Sequence, residues 1–226
     1  MGFLPSRDAF AFDNGWPSEP AVVVNSVLGR FDVGDASNGL CGGMVFAVRD
    51  YLEAGRTSPS VRPEAGTPLF RYLVSRLITS WDLPRGVAKY YQWMGLPDGD
   101  VSFALFGHRV VATRGVTWRT VVEELPAIRA ELDAGELVCL GLVTVHSANP
   151  SDLGQCHQVL AYGYETVGTA VSLRVYDPNR GPDDGVRITV DAPDPTRPAA
   201  ISHNLGLSHP VRGLFRVPYL PATPPI

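Results

Sequence analysis

The sequence predicts an α+β fold, with N-terminal helices, one of them carrying a cysteine, packed on a C-terminal antiparallel β-sheet. Three observations lead there. Between Cys41 and Asp133 apolar residues recur mostly at helical spacing. From Leu137 onward the pattern turns into continuous apolar runs or strict alternation, as strands require. A glycine-rich turn, Asn38-Gly39-Leu40-Cys41-Gly42-Gly43, runs directly into the first strong helix. With 226 residues and no internal repeat, a single domain over 1–226 is the expectation.

The first 37 residues, with Trp16-Pro17, Glu19-Pro20 and several glycines, predict an irregular wrap with one short strand over Ala21–Val24. In the next helix Met44, Val45, Val48 and Leu52 follow the spacing of one buried face, with Cys41 on the same stripe; it ends near Ala54, before Gly55. Beyond a polar loop, Thr67-Pro68 pairs an N-cap with proline at the first helical position. Leu69, Phe70, Leu73, Leu77, Ile78 and Trp81 mark the buried side of that helix. After Leu83-Pro84 a shorter helix places Val87, Tyr90, Tyr91 and Met94 on one side. The stretch Val101–Ala112 reads as strand-like, and a further helix begins near Thr117, to be split or kinked at Pro126. Strands follow over Leu137–Val145, Cys156–Glu165 and Val171–Asp177, then around Val186, Ile188 and Val190. A proline-rich loop leads to a last strand over Val211–Tyr219 and an extended tail.

Composition excludes several classes of partner. The formal net charge is −4, and no basic stripe with interleaved aromatics argues for nucleic acid. The first residues lack the features of a signal peptide, and the longest apolar run, Leu137–Val145, is too short to cross a bilayer. The expectation is a cytoplasmic protein with no membrane partner. Three cysteines without a CxxC pair fit a reducing compartment and argue against a disulfide framework or a zinc ribbon. A metal set from Cys139, His146 and Cys156 matches no ligand spacing, and His203 and His209 sit in a late loop without partners, so neither metal nor cofactor is expected.

The chemistry gathers elsewhere. Cys41 lies at a helix N-terminus, where partial positive charge favours the thiolate. Gly42 and Gly43 leave room for a carbonyl to approach the sulfur. If Cys156–Glu165 and Val171–Asp177 form a hairpin turning near Val167-Gly168, His157 falls opposite Asp177 or, one register step further, Asn179. A cysteine, a histidine and an orienting Asp or Asn make a nucleophile–base–orienter set.

These residues carry a resemblance. Asn38-Gly39-Leu40-Cys41-Gly42-Gly43, the run from His157 to Tyr164 and Val175-Tyr176-Asp177-Pro178-Asn179, in this order, resemble the papain-like cysteine peptidase superfamily and within it the C39-like branch. The match is confined to these three segments, whose order and context agree from Asn38 to Tyr219. It implies a cysteine opening the central helix, a histidine on a sheet strand and an aspartate after the next strand. Cys41 would be the nucleophile, His157 the general base and acid, and Asp177 the orienter, with Asn179 as the alternative. The family usually places a glutamine six residues before the cysteine to help hold the oxyanion; here that position is Asp35, which would repel negative charge. Asn38 is the nearest upstream amide and would act as oxyanion donor beside the Cys41 N–H, or else cap the helix. The implied function is a hydrolase of peptidase or amidase type, with narrow specificity for a peptide or small acyl substrate, working through a Cys41 thioester. A biosynthetic acyltransferase or amide-forming enzyme on the same triad and a non-catalytic peptide-binding module are the other classes open at this point.

Overall fold

A computed structural model of the chain describes residues 2–16, 22–26, 29–33 and 39–226. Its helical half is assembled around α2, Cys41–Glu53. Met44, Val45, Phe46, Ala47 and Val48 are all 0% exposed, so the middle of α2 is buried on every side and not along one stripe only. Complete burial of each large side chain contributes about 1.5–3 kcal/mol. Leu52, predicted on the buried stripe, is 37% exposed near the end of the helix.

The next helix, α3 (Pro68–Ser80), starts as the sequence predicts: Thr67 Oγ1 accepts from the Phe70 N–H at 3.4 Å and Pro68 follows the cap. It runs close against α2, because a Cβ on Gly43 would lie 2.1 Å from the Leu73 carbonyl oxygen. Ile78, predicted to be buried, is 37% exposed. Asp50, 1% exposed on α2, joins both helices to the end of the chain. Its carboxylate accepts from Arg76 Nε at 2.6 Å, Tyr72 OH at 2.8 Å, Tyr219 OH at 2.7 Å and the Ala222 N–H at 2.9 Å. A charge so deeply buried needs such a set of partners. Helix α4 (Arg85–Gly95) buries Val87, Tyr90, Trp93 and Met94.

The N-terminal segment opens with a single helical turn, α1 (Pro5–Asp8), after which Phe10, Phe12 and Trp16 enter the core. Where the sequence predicts one short strand there are two, β1 (Val22–Ser26) and β2 (Gly29–Val33), paired antiparallel. The strand-like stretch after α4 is an exposed hairpin, β3 (Val101–Leu105) with β4 (His108–Thr113). Helix α5 (Val116–Trp118) passes through a π-helical turn (Arg119–Glu124) into α6 (Leu125–Asp133). Pro126 is the second residue of α6, and the helix is split just before it, where the wide π-helical turn ends on Glu124. Glu124 pins this turn by accepting from Lys89 Nζ at 2.6 Å and the Arg216 N–H at 3.0 Å.

Strands β5 (Val138–Val143), β6 (His157–Val167), β7 (Ala170–Tyr176), β8 (Arg187–Asp191), β9 (Ala200–His203) and β10 (Gly213–Arg216) form a six-stranded antiparallel sheet in the order β10-β5-β6-β7-β8-β9. All of β5 is buried, as its continuous apolar run predicts. The last strand is shorter than predicted, and β9 is an edge strand following the proline-rich loop. Cys139, Leu160, Tyr176 and Phe215 pack in one core cluster with α2, while Leu140, Val159, Leu173 and Ile188 form a second cluster with Leu125 and Ile128. Among the described residues no helix is long and apolar enough to cross a membrane.

Register places the site. Leu142 pairs with His157 and Leu160 with Tyr176, so the end of β5, the start of β6 and the end of β7 meet at one end of the sheet. The first turn of α2 meets the same end, since a Cβ on Gly42 would lie 2.8 Å from Gln158 Oε1.

Candidate active site

Cys41 is the first residue of α2, and Leu40 occupies the N-cap position without a capping side chain. The first N–H groups of a helix have no partner within it, and the N–H groups of Gly42 and Gln158 bond the sulfur. Cys41 is partly exposed. Burial by itself would push its thiol up. The positive imidazole of His157, a hydrogen bond from that ring and the backbone N–H groups of Gln158 and Gly42 outweigh burial and hold the thiol below its ordinary value.

His157 opens β6 and is 4% exposed; Asp177, just beyond β7, is 0% exposed. His157 Nε2 lies 2.7 Å from Asp177 Oδ1, which leaves Nδ1 as the ring nitrogen for the Cys41 sulfur. Burial would lower the imidazole, but the Cys41 sulfur and the Asp177 carboxylate raise it well above its ordinary value. Asp177 in turn is pushed up by burial and drawn down more strongly by His157 and by the N–H groups of Asn179 and Gly206, at 2.9 Å and 2.8 Å. Its net position is below the ordinary carboxylate value, so it stays ionised beside the ring.

The pairing that brings these groups together differs from simple turn arithmetic. Near the turn Tyr164 faces Leu173; past an irregularity between Ala161 and Gly163 the register shifts by one, and Leu160 faces Tyr176. Continued to the strand ends, this register sets position 157 opposite 179 and leaves 177 on the diagonal of the same face. The imidazole nevertheless bonds the diagonal carboxylate. Asn179, the alternative orienter, turns its side chain elsewhere: its Oδ1 accepts from Asn14 Nδ2 at 3.0 Å and its Nδ2 donates to the Gly206 carbonyl at 3.3 Å. Through its own N–H it supports Asp177 and does not replace it.

Gly42 and Gly43 have a packing role besides the predicted one. A Cβ on Gly42 would lie 2.2 Å from Ser80 Oγ, and one on Gly43 would meet the α3 backbone. Both glycines let the start of α2 sink against its neighbours. Asn38 and Asp35 lie outside the described residues. Burial pushes the Cys139 thiol up to about 12 and the Cys156 thiol up to about 11. His203 stands on β9, and His146 and His209 lie in loops. No group of three or more His, Cys, Asp or Glu among the described residues is placed to hold a metal ion.

Two polar side chains of this region went unrecognised in the sequence. Asn14 accepts the Leu40 N–H at 2.9 Å, immediately before the cysteine. Gln158, 4% exposed and next to His157, reaches under the first turn of α2, and its Oε1 has no hydrogen-bond partner among the described residues. Asn14-Gly15 reads in sequence as turn punctuation only, whereas adjacency to His157 was a usable signal for Gln158. Chemically the arrangement offers a thiol held below its ordinary value, an imidazole in contact with it and a fixed anion behind that ring. Comparison with family models, curated proteins and solved structures finds no match for this chain.

Proposed function

We propose that the chain is a papain-like cysteine hydrolase of peptidase or amidase type, with narrow specificity, acting by acyl transfer through a Cys41 thioester. The observation that carries this reading is the unbroken contact from the Cys41 sulfur through His157 to Asp177, with the thiol held low and the imidazole held high. A thiolate–imidazolium pair is the resting state that such chemistry needs. The order of the elements also supports it: a cysteine opening a buried helix, a histidine opening a strand, and an aspartate after the next strand.

In the first step the thiolate attacks the substrate carbonyl carbon, forming the C–S bond and moving the carbonyl π electrons onto oxygen. The Cys41 backbone N–H, at the first position of α2, would receive that oxyanion. On collapse the bond to the leaving nitrogen or oxygen breaks, and the proton on His157 passes to the departing atom. In the second step neutral His157 takes a proton from water, and the resulting hydroxide equivalent attacks the thioester. Cys41 leaves as thiolate, the acid product departs and the imidazolium is restored. Throughout, Asp177 holds the ring orientation and offsets its positive charge.

Intact-mass analysis after mixing with a panel of activated small esters and thioesters tests the reading. An acyl adduct should form on the unsubstituted protein and be absent in Cys41→Ala, while casein is cut poorly. Added amines that divert the adduct to amide would move the assignment to a transferase. Rapid casein digestion that is lost in Cys41→Ala would show the specificity to be broad. A folded protein that forms no adduct across the panel would overturn the catalytic reading in favour of a binding module.

A further inference from the structure

The bonds around Cys41 close on themselves. Leu40, one residue before the nucleophile, donates its N–H to Asn14 Oδ1 at 2.9 Å. Asn14 Nδ2 donates to Asn179 Oδ1 at 3.0 Å, and the Asn179 N–H donates to Asp177 Oδ1 at 2.9 Å. The same Asp177 oxygen meets His157 Nε2, and His157 meets the Cys41 sulfur. Asn14 therefore reaches both the nucleophile turn and the orienter turn, as His157 does from the other side of the ring. Its backbone takes part as well, with the Asn14 N–H on the Pro178 carbonyl at 2.8 Å.

The surroundings hold Asn14 to this task. A Cβ on Gly39 would lie 2.3 Å from Asn14 Nδ2, so the glycine lets the amide close over the turn. Upstream, Phe10 and Phe12 are buried in the core, and Ser6 bonds Asp184 through both its N–H and its hydroxyl, at 2.8 Å and 2.6 Å. A Cβ on Gly181, which sits at φ 52°, would come within 2.5 Å of Asp13 Oδ1, so the segment also lies tight against the chain that follows Asn179. An amide is the side chain that fits between these turns, since one end must accept from Leu40 and the other must donate to Asn179.

We propose that Asn14 is a positioning residue that sets the separation of the Cys41 thiol from the His157 imidazole, and that the N-terminal segment is thereby part of the reactive apparatus. The proposal rests on the reading of Cys41 as nucleophile. Without the bridge the first turn of α2 and the Asp177–Asn179 turn are free to drift apart. The thiolate–imidazolium pair then weakens, and the thiol returns towards its ordinary value.

The test is the pH profile of Cys41 alkylation by iodoacetamide, followed by peptide mapping, in the unsubstituted protein, Asn14→Ala, Asn179→Ala and the double variant. It needs no substrate. In Asn14→Ala the midpoint should rise by about one pH unit, lowering the rate about tenfold at a pH below both midpoints. Asn179→Ala should shift it in the same direction, and the double variant should add little to Asn14→Ala, since the two singles remove the same bond. A purely structural role would lower the melting temperature and leave the midpoint in place; that result in folded Asn14→Ala would overturn the proposal. Should Asn14→Ala fail to fold, an unmoved midpoint in Asn179→Ala would overturn it equally. An ordinary midpoint in the unsubstituted protein would instead sink the reading of Cys41, and this role with it.

Discussion

Replacing Asp177 by asparagine keeps the shape of the side chain and removes its charge. In the folded protein the carboxylate meets three nitrogen partners: His157 Nε2 at 2.7 Å and the Asn179 N–H at 2.9 Å on one oxygen, and the Gly206 N–H at 2.8 Å on the other. An amide has only one oxygen, so in Asp177→Asn one backbone N–H or the imidazole must face an NH2 group. A hydrogen bond to a charged partner contributes about 1.5–3 kcal/mol. At about 1.4 kcal/mol per pH unit, its loss lets the imidazole fall by about one to two units, and the thiol that leans on it rises in response. Turnover of an activated ester should drop on the order of a hundredfold or more, in line with loss of a triad orienter. Asp177→Ala should behave alike, and Asn179→Ala should cost less, because Asn179 touches the ring only through Asp177. Folded-state pKa depression also makes Asp177 stabilising above the ordinary carboxylate value of about 3.9, an effect lost as pH falls through its lower folded value. The acid-unfolding profile of Asp177→Asn should lack that component. A larger loss of turnover in Asn179→Ala than in Asp177→Ala would refute the reasoning and make Asn179 the orienter.

Two further outcomes follow from the same geometry. Limiting iodoacetamide at neutral pH should label Cys41 well before Cys139 and Cys156, whose thiols burial pushes up to about 12 and about 11; peptide mapping that finds Cys156 labelled first would contradict the assignment of the reactive thiol. Gly43→Ala should destabilise by about 1–3 kcal/mol, the usual range for overpacking. Its Cβ would sit 2.1 Å from the Leu73 carbonyl oxygen, so α2 and α3 must separate, and a denaturant midpoint equal to that of the unsubstituted protein would show that they need not.

Much of this architecture could be read from neighbours in sequence. The change of period after Asp133 marks the passage from helices to strands, and the all-apolar run of β5 announces a strand buried on both faces. Thr67-Pro68 states where α3 begins. Cys41 and His157, with Asp177 or Asn179 beside the latter, could be singled out because helix starts and hairpins are set by residues a few positions apart; the resemblance chose Asp177, and the structure does bring Cys41, His157 and Asp177 together.

What escaped that reading depends on groups far apart in the chain. The irregularity between Ala161 and Gly163 shifts the hairpin by one position, and counting from the turn does not reveal it. The tight contacts of Gly42 and Gly43 are made with α3 and β6, elements that the local pattern around Cys41 does not contain. Asp50 is a helix residue in sequence and becomes a buried anchor only when Tyr219 and Ala222, 169 and 172 positions away, fold over it. Asn14 gains its partners Leu40 and Asn179 in the same way. Periodicity and capping report which face of an element is apolar and where it starts. Which polar groups meet when two such faces close is decided by the packing of the whole chain, because a hydrogen bond depends on a few tenths of an ångström between atoms that no local rule relates.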